Sequence, residues 1–436
     1  MTKKLLLDSL WTVVTRFVMK GANLVVFVIL ARQLGLAEFG FYGYVVAITL
    51  LLSTFLDFGT RHSAGYYLGS EPHKSDEIIL QTHIWCGVFS VVGTFILGAY
   101  IYFQHNELSQ MRLLIPIALT LPAMLVIRIE QGVVLGKGMM GPYNKSESLP
   151  RTLLLIVTLI LWAMHAITLE TSLWALAGTF ALAAIYLLYE TRSLGIARRL
   201  DPILTRKILF RGLLFLPGVI LMIASRRVSI LMLQGMSGPE ATGIYFGVVR
   251  ISETITEIAL AIGIVIFSHN VRAVSTEQAV ADAAKVTRSM MLVLLSMCVV
   301  LFAGAHWIVP VALGKEFVGQ EVLFRVALIA TWIGSLWIIL YPSLSALASP
   351  IVSFWVFLPG VAVNVLLTYL LVPRYGVNGA GYALLTTQVV LSASFLFTFK
   401  LLFKARVVDF LVPNRRDIDG PLKAIRRRLQ RRAKPA

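Results

Sequence analysis

Apolar residues run through almost the whole chain in long stretches, and short polar segments separate these stretches. A helix needs about 20 mainly apolar residues to cross the hydrocarbon core of a bilayer. Twelve stretches approach or exceed this length, at residues 10–34, 41–64, 80–103, 112–136, 150–168, 173–192, 210–234, 243–268, 289–310, 320–347, 351–372 and 377–403. The pattern therefore predicts an all-α polytopic membrane protein with about twelve transmembrane helices.

Composition and charge agree with this class and exclude others. Hydrophobic residues make up 58% of the 436 residues and charged residues only 14%, which is not the composition of a soluble chain of this length. The formal net charge of +17 is also found in nucleic-acid-binding proteins. Here the basic residues lie in short loops and in the C-terminal tail, not on a separate basic domain, so we expect no nucleic-acid partner.

The Lys and Arg residues are distributed unevenly between the two sides of the predicted membrane. With the N-terminus inside, 26 of the 39 lie on the inner side, four on the outer side and nine within the spans. Loops rich in Lys and Arg remain in the cytoplasm. Both termini are therefore predicted to be cytoplasmic, and no outer loop is long enough to form a domain.

The chain also divides into two similar halves. Five positions match at a fixed offset of 203 residues: Gly35, Gly40, Tyr42, Val45 and Val46 correspond to Gly238, Gly243, Tyr245, Val248 and Val249. The basic segment 192–211 follows the sixth predicted helix and is interpreted as a linker. The sequence therefore predicts an N-terminal six-helix lobe at 1–200, a C-terminal six-helix lobe at 201–403 and a basic tail at 404–436. Transporters built from such repeats bind substrate between them.

Charged side chains occur inside several predicted spans. Such residues are costly in a membrane unless they face protein or water, so they indicate a polar cavity or an ion pair. The cations are Arg16, Lys20, Arg61, Arg128, Arg226, Arg227, Arg250 and Arg325, and the acids well inside the spans are Asp57, Glu130, Glu253 and Glu257. A purely structural interpretation stays open for two groups. Asp57 and Arg61 have the i,i+4 spacing of a bridge, and Arg250, Glu253 and Glu257 share one helix face that would suit ion-paired packing.

Three glycine-spaced strings resemble those of a known family. They are ARQLGLAEFGFY at 31–42, LDFG at 56–59 and LVPRYGVNGAG at 371–381. With the chain length, the twelve spans and the half-repeat, the chain resembles the polysaccharide flippases of the multidrug/oligosaccharidyl-lipid/polysaccharide exporter superfamily. The resemblance implies a V-shaped transporter, not an enzyme, that moves an undecaprenyl-diphosphate-linked oligosaccharide from the inner to the outer leaflet of the bacterial inner membrane.

The resemblance also implies the partners of the protein. The cargo would be an O-antigen, capsule or exopolysaccharide repeat unit, with membrane lipids around the protein. H⁺ or Na⁺ is a possible counter-ion, and a polysaccharide polymerase is a possible protein partner.

A diphosphate cargo needs cations at membrane depth to replace its hydration. The expected substrate-binding residues are Arg16, Lys20, Arg61, Arg128, Arg226 and Arg250. The expected ion-coupling carboxylates are Glu253, Glu257 and Asp57. At the repeat offset, Arg226 aligns with Asn23. Arg226 and Arg227 are about 100° apart on a helix, so they are not expected to point into one cavity.

Neither a metal nor a cofactor is expected. Cys86 and Cys298 lie in apolar runs and are predicted to be small buried hydrophobic residues. His83, His165 and His306 lie within spans without neighbouring ligands at metal spacing, so the sequence assigns them no chemistry.

Two alternative functions remain. A multidrug exporter of the same superfamily would have the same architecture, but cationic drugs need an acidic cavity, and here cations outnumber acids in the spans. A polytopic glycan-modifying enzyme would need acid/base or nucleophilic groups gathered at one interface, usually on a large loop. The sequence shows neither such a loop nor such a motif.

Overall fold

The computed structural model describes residues 21–104, 108–195, 197, 200–257, 259–260 and 275–412. Within these ranges the chain is almost entirely helical and contains no β-strand. The first helices are α1 (Gly21–Gln33), α2 (Gly35–Leu56), α3 (Thr60–Ser70), α4 (Ser75–Gln104), α5 (Leu108–Gly136), α6 (Met140–Ala163) and α7 (Leu169–Thr191). The later helices are α8 (Pro202–Glu253), α9 (Thr276–Ala303), α10 (Ala305–Leu313), α11 (Glu321–Leu347), α12 (Pro350–Tyr375), α13 (Val377–Phe403) and α14 (Val408–Leu411).

The described chain contains 10 helices that are long and apolar enough to cross a membrane. One of them, α8, has 52 residues and bends at Gly238, where φ is 82° and ψ is −179°. Its two segments correspond to the seventh predicted span and to the start of the eighth, which ends outside the described residues. α1 is the described part of the first predicted span. The predicted all-α polytopic fold is therefore confirmed.

The second predicted helix, 41–64, is interrupted in the structure. A short turn separates α2 from α3, and Phe58 and Gly59 have φ values of 47° and 68° within it. This left-handed conformation is easily adopted by glycine. The Asp57 carboxylate accepts a hydrogen bond from the Gly59 amide at 2.5 Å and stabilises the turn. The prediction of one continuous helix is therefore wrong.

The connections between helices lie at the two ends of the bundle. The linker face is the end with the connections at 71–74, 137–139, 192–201 and 348–349. The opposite face is the end with the connections at 34, 164–168, 238, 314–320 and 376. The N-lobe and C-lobe are named here by the boundaries predicted from the sequence. The distribution of Lys and Arg predicts that the linker face is cytoplasmic.

Glycines of the two repeats pack against each other near the opposite face. A Cβ on Gly40 would lie 1.9 Å from the Pro239 carbonyl oxygen and 2.6 Å from the Gly243 amide nitrogen. A Cβ on Gly243 would lie 2.1 Å from the Leu36 carbonyl oxygen. Small residues allow this close approach of helix backbones in membranes. Gly40 and Gly243 match at the repeat offset, so α2 and α8 meet at equivalent positions of the two halves.

Arg32 adds a polar contact between the lobes at the opposite face. Its Nε donates to the Ala312 carbonyl oxygen at 3.3 Å, and its Nη2 donates to the Val311 carbonyl oxygen. Both carbonyls belong to the last turn of α10, where carbonyl groups lack partners within the helix. A cation at this position also interacts favourably with the helix dipole.

The lobes also contact each other near the linker face. Gln81 of α4 is fully buried. Its Nε2 donates to the Asp201 carbonyl oxygen at 3.1 Å, and its Oε1 accepts from the Thr205 hydroxyl at 2.9 Å. These two hydrogen bonds are called the linker-face contact. Deeper in the bundle, a Cβ on Gly59 would lie 2.1 Å from the Gly212 carbonyl oxygen. The two lobes are therefore in contact toward both faces.

Gly40→Ala is expected to weaken the contact of the lobes at the opposite face, because the new methyl group would overlap the Pro239 carbonyl oxygen. Overpacking of this kind typically costs about 1–3 kcal/mol. We expect a lower melting temperature and a longer interlobe distance, measured by thermal unfolding and by spin labels. Gly178→Ala in α7 is the matched control, because its Cβ would meet no atom within 4 Å. Equal behaviour of the two variants would contradict this packing.

Candidate functional site

Glu253 lies at the end of α8 and contacts three arginines of the same helix. Arg226 Nη2 is 3.3 Å from its Oε1, and Arg227 Nη2 and Arg250 Nη1 are 3.2 Å and 3.3 Å from its Oε2. The Glu253 side chain is 11% exposed, and those of the arginines are 14% to 33% exposed. These four residues are called the arginine cluster. One negative charge faces three positive charges, so the cluster is cationic.

The bend of α8 brings the cluster together. Arg226 comes 12 residues before Gly238, and Arg250 comes 12 residues after it. At 1.5 Å per residue, both lie about 18 Å from the bend along antiparallel segments. Their side chains therefore meet at the same depth. In a hydrocarbon core about 30 Å thick, that depth is inside the membrane.

Arg226 and Arg227 differ from the expectation based on helix geometry. Both reach the same carboxylate, each through a different oxygen of Glu253. Both also line one cavity of about 180 Å³. The prediction that they cannot point into one cavity is therefore wrong, because the long arginine side chains reach around the helix from positions about 100° apart.

The arginine cluster faces helices of the N-lobe. Arg250 and Glu253 line a cleft together with Asn23 of α1. Arg226 and Arg227 line the 180 Å³ cavity together with Leu50 of α2. The site therefore lies between the lobes, and residues of both halves form it.

The structure also contains the ion-paired face that the sequence left open. Arg250 and Glu253 pair at i,i+3 with a distance of 3.3 Å. Glu257, one turn further on, lines the cleft that contains Asn23. This face of α8 therefore contains an ion pair and also lines the cleft.

In the N-lobe, Asp57 pairs with Arg128 of α5 and not with Arg61. Arg128 donates to Asp57 Oδ2 from Nη2 at 2.8 Å and from Nε at 3.1 Å. An i,i+4 bridge needs a continuous helix, and the turn at 58–59 interrupts it. Within the described part of the chain, Arg61 forms no ion pair. The bridge between Asp57 and Arg61 is therefore not formed.

Glu147 is a second acid near this pair. Its carboxylate accepts hydrogen bonds from Arg151 at 2.8 Å and from Gln131 of α5 at 2.9 Å. Sequence analysis missed it because Glu147 precedes the predicted span at 150–168. In the structure α6 begins ten residues earlier, at Met140, so Glu147 belongs to this helix and is only partly exposed.

The predicted substrate-binding residues fall into three sets. Arg226 and Arg250 belong to the arginine cluster, and Arg61 and Arg128 belong to the N-lobe group around Asp57. Arg16 and Lys20 lie outside the described residues.

A further ionisable pair joins α4 and α5. His83 Nε2 lies 2.6 Å from Glu130 Oε1, and the Glu130 side chain is fully buried. No spacing along the chain indicates this pair, because the two residues lie on different helices, 47 residues apart. Only the packing of α4 on α5 brings them together.

Metal ligands are not clustered in the part of the chain that the structure describes, where no group of three His, Cys, Asp or Glu side chains could hold an ion. Cys86 and Cys298 are both free and buried, as predicted.

A double-mutant cycle of Asp57→Asn and Arg128→Gln is expected to show a coupling energy of about 0.5–3 kcal/mol, because the two groups share a short ion pair. Thermal or denaturant unfolding of the purified variants would measure it. Arg61→Gln is the comparison variant and should show a smaller coupling with Asp57→Asn, because no ion pair joins Arg61 to Asp57. Coupling to Arg61 in place of Arg128 would contradict the observed pairing.

Comparison with known proteins adds to this geometry. A family model described as a polysaccharide biosynthesis protein matches residues 5–267. Comparison with curated protein sequences gives no match. Among solved structures, the lipid II flippase MurJ in an inward closed conformation has a TM-score of 0.71 and 14% identity, and the alignment covers 92% of this chain and 89% of that one.

Transporters of a second group share the fold. The inward-facing conformation of a multidrug resistance MATE family transporter of the MOP superfamily has a TM-score of 0.66 and 13% identity, with 90% of this chain and 99% of that one covered. Its outward-facing counterpart has a TM-score of 0.65 and 14% identity, with 91% and 95% covered. The family model covers more than half of the chain, so the protein belongs to the polysaccharide biosynthesis protein family and has the fold of MOP superfamily transporters.

Proposed function

We propose that the protein is a flippase that moves an undecaprenyl-diphosphate-linked oligosaccharide across the bacterial inner membrane. The arginine cluster is the observation that supports this most strongly. Three guanidinium groups face one carboxylate at membrane depth and between the lobes. Guanidinium groups bind phosphate oxygens through paired, charge-assisted hydrogen bonds.

The charge of the cluster favours an anionic cargo. The excess positive charge matches the two negative charges of a diphosphate, whereas a cationic drug would be repelled. The multidrug exporter is therefore the weaker candidate, although MATE transporters have the same fold. A glycan-modifying enzyme is disfavoured because the similar solved structures are a flippase and transporters.

Transport would proceed by alternating access between the lobes. Contacts join the lobes toward both faces, and each set would break in turn as the cargo crosses. Arg226 and Arg250, with Arg16 and Lys20 from the first helix, would hold the diphosphate, and Arg61 and Arg128 would assist it from the N-lobe. The cargo would be an O-antigen, capsule or exopolysaccharide unit that a polymerase then extends.

Coupling to H⁺ or Na⁺ belongs to this proposal, with Glu253, Glu257 and Asp57 as its first candidates. Asp57 and Glu253 are paired with arginines. Surrounding guanidinium groups repel a further cation, so these two carboxylates are better suited to ordering the arginines. In this proposal Glu253 holds the arginines of the cluster in place until the diphosphate displaces it.

The proposed orientation makes a separate prediction. Both termini should be cytoplasmic, because the Lys and Arg residues are concentrated on the linker face and in the tail. A single cysteine introduced at Lys404 should resist a membrane-impermeant thiol reagent in intact cells and react after lysis. A cysteine at Val318, which is exposed at the opposite face, should react in intact cells. The reverse labelling pattern would contradict this orientation.

Translocation itself can be measured with purified protein in liposomes. A fluorescent undecaprenyl-diphosphate oligosaccharide would be placed in both leaflets, and a membrane-impermeant quencher would report its arrival at the outer surface. We expect faster exchange than in protein-free liposomes or with Arg250→Gln protein. Mass spectrometry of the recovered lipid should show no covalent change. An altered product would favour the enzyme, and exchange equal to that of empty liposomes would contradict the flippase.

A further inference from the structure

The pair of His83 and Glu130 lies outside the arginine cluster and has no role in the proposed binding of diphosphate. The imidazole Nε2 is 2.6 Å from Glu130 Oε1. Glu130 is fully buried, and the pair is held by charge contact alone, because neither carboxylate oxygen of Glu130 nor His83 Nε2 makes a hydrogen bond of standard geometry among the described residues. Burying a carboxylate away from the arginines is costly unless a proton or a cation neutralises it. In this pair the neutralising group is the protonatable imidazole.

The pair opens into a cavity within the N-lobe. The cavity has a volume of about 630 Å³, and α4, α5 and the end of α7 line it. Thr191 and Arg192 are among its lining residues, at the end of α7 that meets the linker face. The cavity therefore gives the buried carboxylate a route toward the linker face.

Few other charged or titratable groups face the pair. Cys86 of α4 and Arg192 line the same cavity. Arg128 is two residues from Glu130 and so about 200° away around α5, and it binds Asp57. Arg61 of α3 and Glu147 of α6 both interact electrostatically with Arg128. They therefore lie on the side of α5 that faces Asp57, away from Glu130.

The side of α4 toward α8 is lined by other residues. Arg206 of α8 shares a cavity with Ile84 and Trp85 of α4, not with His83. Within the described chain, the pair thus forms a site separate from the other charged groups.

We propose that His83 and Glu130 form a proton-binding site whose occupancy controls the linker-face contact. The two side chains are in contact in the structure, which corresponds to the state in which the pair holds one proton. Loss of that proton leaves a neutral imidazole beside a buried carboxylate. The carboxylate then requires water, and because the Glu130 side chain is fully buried although it borders the cavity, α4 must move away from α5 to admit that water.

The same helix transmits this movement to the lobe interface. Gln81 is two residues before His83 on α4 and makes both hydrogen bonds of the linker-face contact. Displacement of α4 would therefore separate Gln81 from Asp201 and Thr205. The protonated pair accordingly favours a closed linker face, and the deprotonated pair favours an open one.

This direction fits exchange of a proton for cargo and, in that respect, rests on the proposed function. Release of the proton through the cavity would open the linker face, where a cytoplasmic cargo could enter. The site would then take the coupling role considered above for Glu253, Glu257 and Asp57. Its test needs neither cargo nor transport.

The test measures the distance between spin labels on the two lobes at the linker face. Labels at Met140→Cys and Ser349→Cys are suitable, because both residues are exposed and both native cysteines are buried. We expect the wild-type distance to increase between about pH 5 and pH 8, the range in which histidines ordinarily titrate. Glu130→Gln should lose this response and remain at the short distance, because the neutral amide needs no proton.

His83→Gln is the second variant and also covers the case in which Glu130→Gln does not fold. Without the imidazole, Glu130 must bind its proton alone, so the opening midpoint should shift. His306→Gln is the matched control, because His306 pairs with Glu321 at 3.1 Å but is 70% exposed at the opposite face. It should retain the wild-type response.

Three results would overturn the proposal: a wild-type distance that does not change with pH, a wild-type response in Glu130→Gln, or an unshifted midpoint in His83→Gln. Each can occur while translocation of the labelled lipid in liposomes proceeds normally. Conversely, failure of translocation with an intact pH response would contradict the flippase and leave this site standing.

Discussion

Arg250→Gln is expected to weaken binding of an undecaprenyl-diphosphate oligosaccharide by roughly 10- to 100-fold and to abolish complementation of a flippase-deficient strain. A hydrogen bond to a charged group contributes about 1.5–3 kcal/mol, and each 1.4 kcal/mol is about a tenfold change in affinity. Arg226→Gln should behave in the same way. Binding would be measured with purified protein in nanodiscs.

The controls for this prediction separate charge from shape. Lys at either position should rescue binding in part, because the charge remains but the paired donors of the guanidinium are lost. Arg325→Gln is the matched control, because Arg325 lies over the Phe302 ring at 5.3 Å and not in the cluster. It should retain wild-type binding. Full complementation by neutral variants of Arg16, Lys20, Arg226 and Arg250 would refute the cationic site.

Glu253→Gln is expected to have the largest effect on stability. Removing one partner from a buried ion pair typically costs about 3–5 kcal/mol, because the remaining charge is left without a counter-ion. Here three arginines would lose the same carboxylate. The melting temperature of the purified protein should fall markedly, whereas Glu38→Gln, which removes an exposed acid of α2, should change it little.

A diphosphate ligand should restore much of this loss, because its oxygens can replace the carboxylate. The increase in melting temperature on adding the lipid diphosphate should therefore be larger for Glu253→Gln than for the wild type. If Glu253 instead binds the coupling ion, the variant should keep its stability and lose only ion-dependent cycling. The two measurements together distinguish an ordering role from a coupling role.

The repeat in the sequence corresponds to a contact in the structure. Gly40 and Gly243 were identified only as matching positions at an offset of 203 residues. In the structure they lie against each other, with backbone atoms closer than any larger residue would allow. The matching Gly35 and Gly238 both have positive φ, 73° and 82°. The repeat offset identified these glycines from the sequence, and the positive φ of Gly35 and Gly238 is a conformation that glycine adopts more readily than other residues.

Most of the ion pairs could not be predicted from residue spacing in the sequence. Spacing along one helix correctly grouped Arg250 with Glu253. It failed for Asp57 and Arg61, because the turn at 58–59 depends on local backbone conformation and on the approach of α8. Helix spacing also failed for Arg226 and Arg227, because both contact Glu253, which lies on the other segment of α8.

The sequence by itself determined that the protein crosses a membrane with apolar helices, that two halves repeat, and that cations outnumber acids inside the spans. The apolar helices and the excess of cations follow from composition and local periodicity, whereas the repeat follows from matching positions 203 residues apart. Only the tertiary structure decided which acid meets which cation, that the arginines gather around one carboxylate, and that His83 lies against Glu130. Apart from the pair of Arg250 and Glu253, those contacts join residues of different helix segments, so their geometry depends on how the helices bend and pack, and no spacing along the chain encodes it.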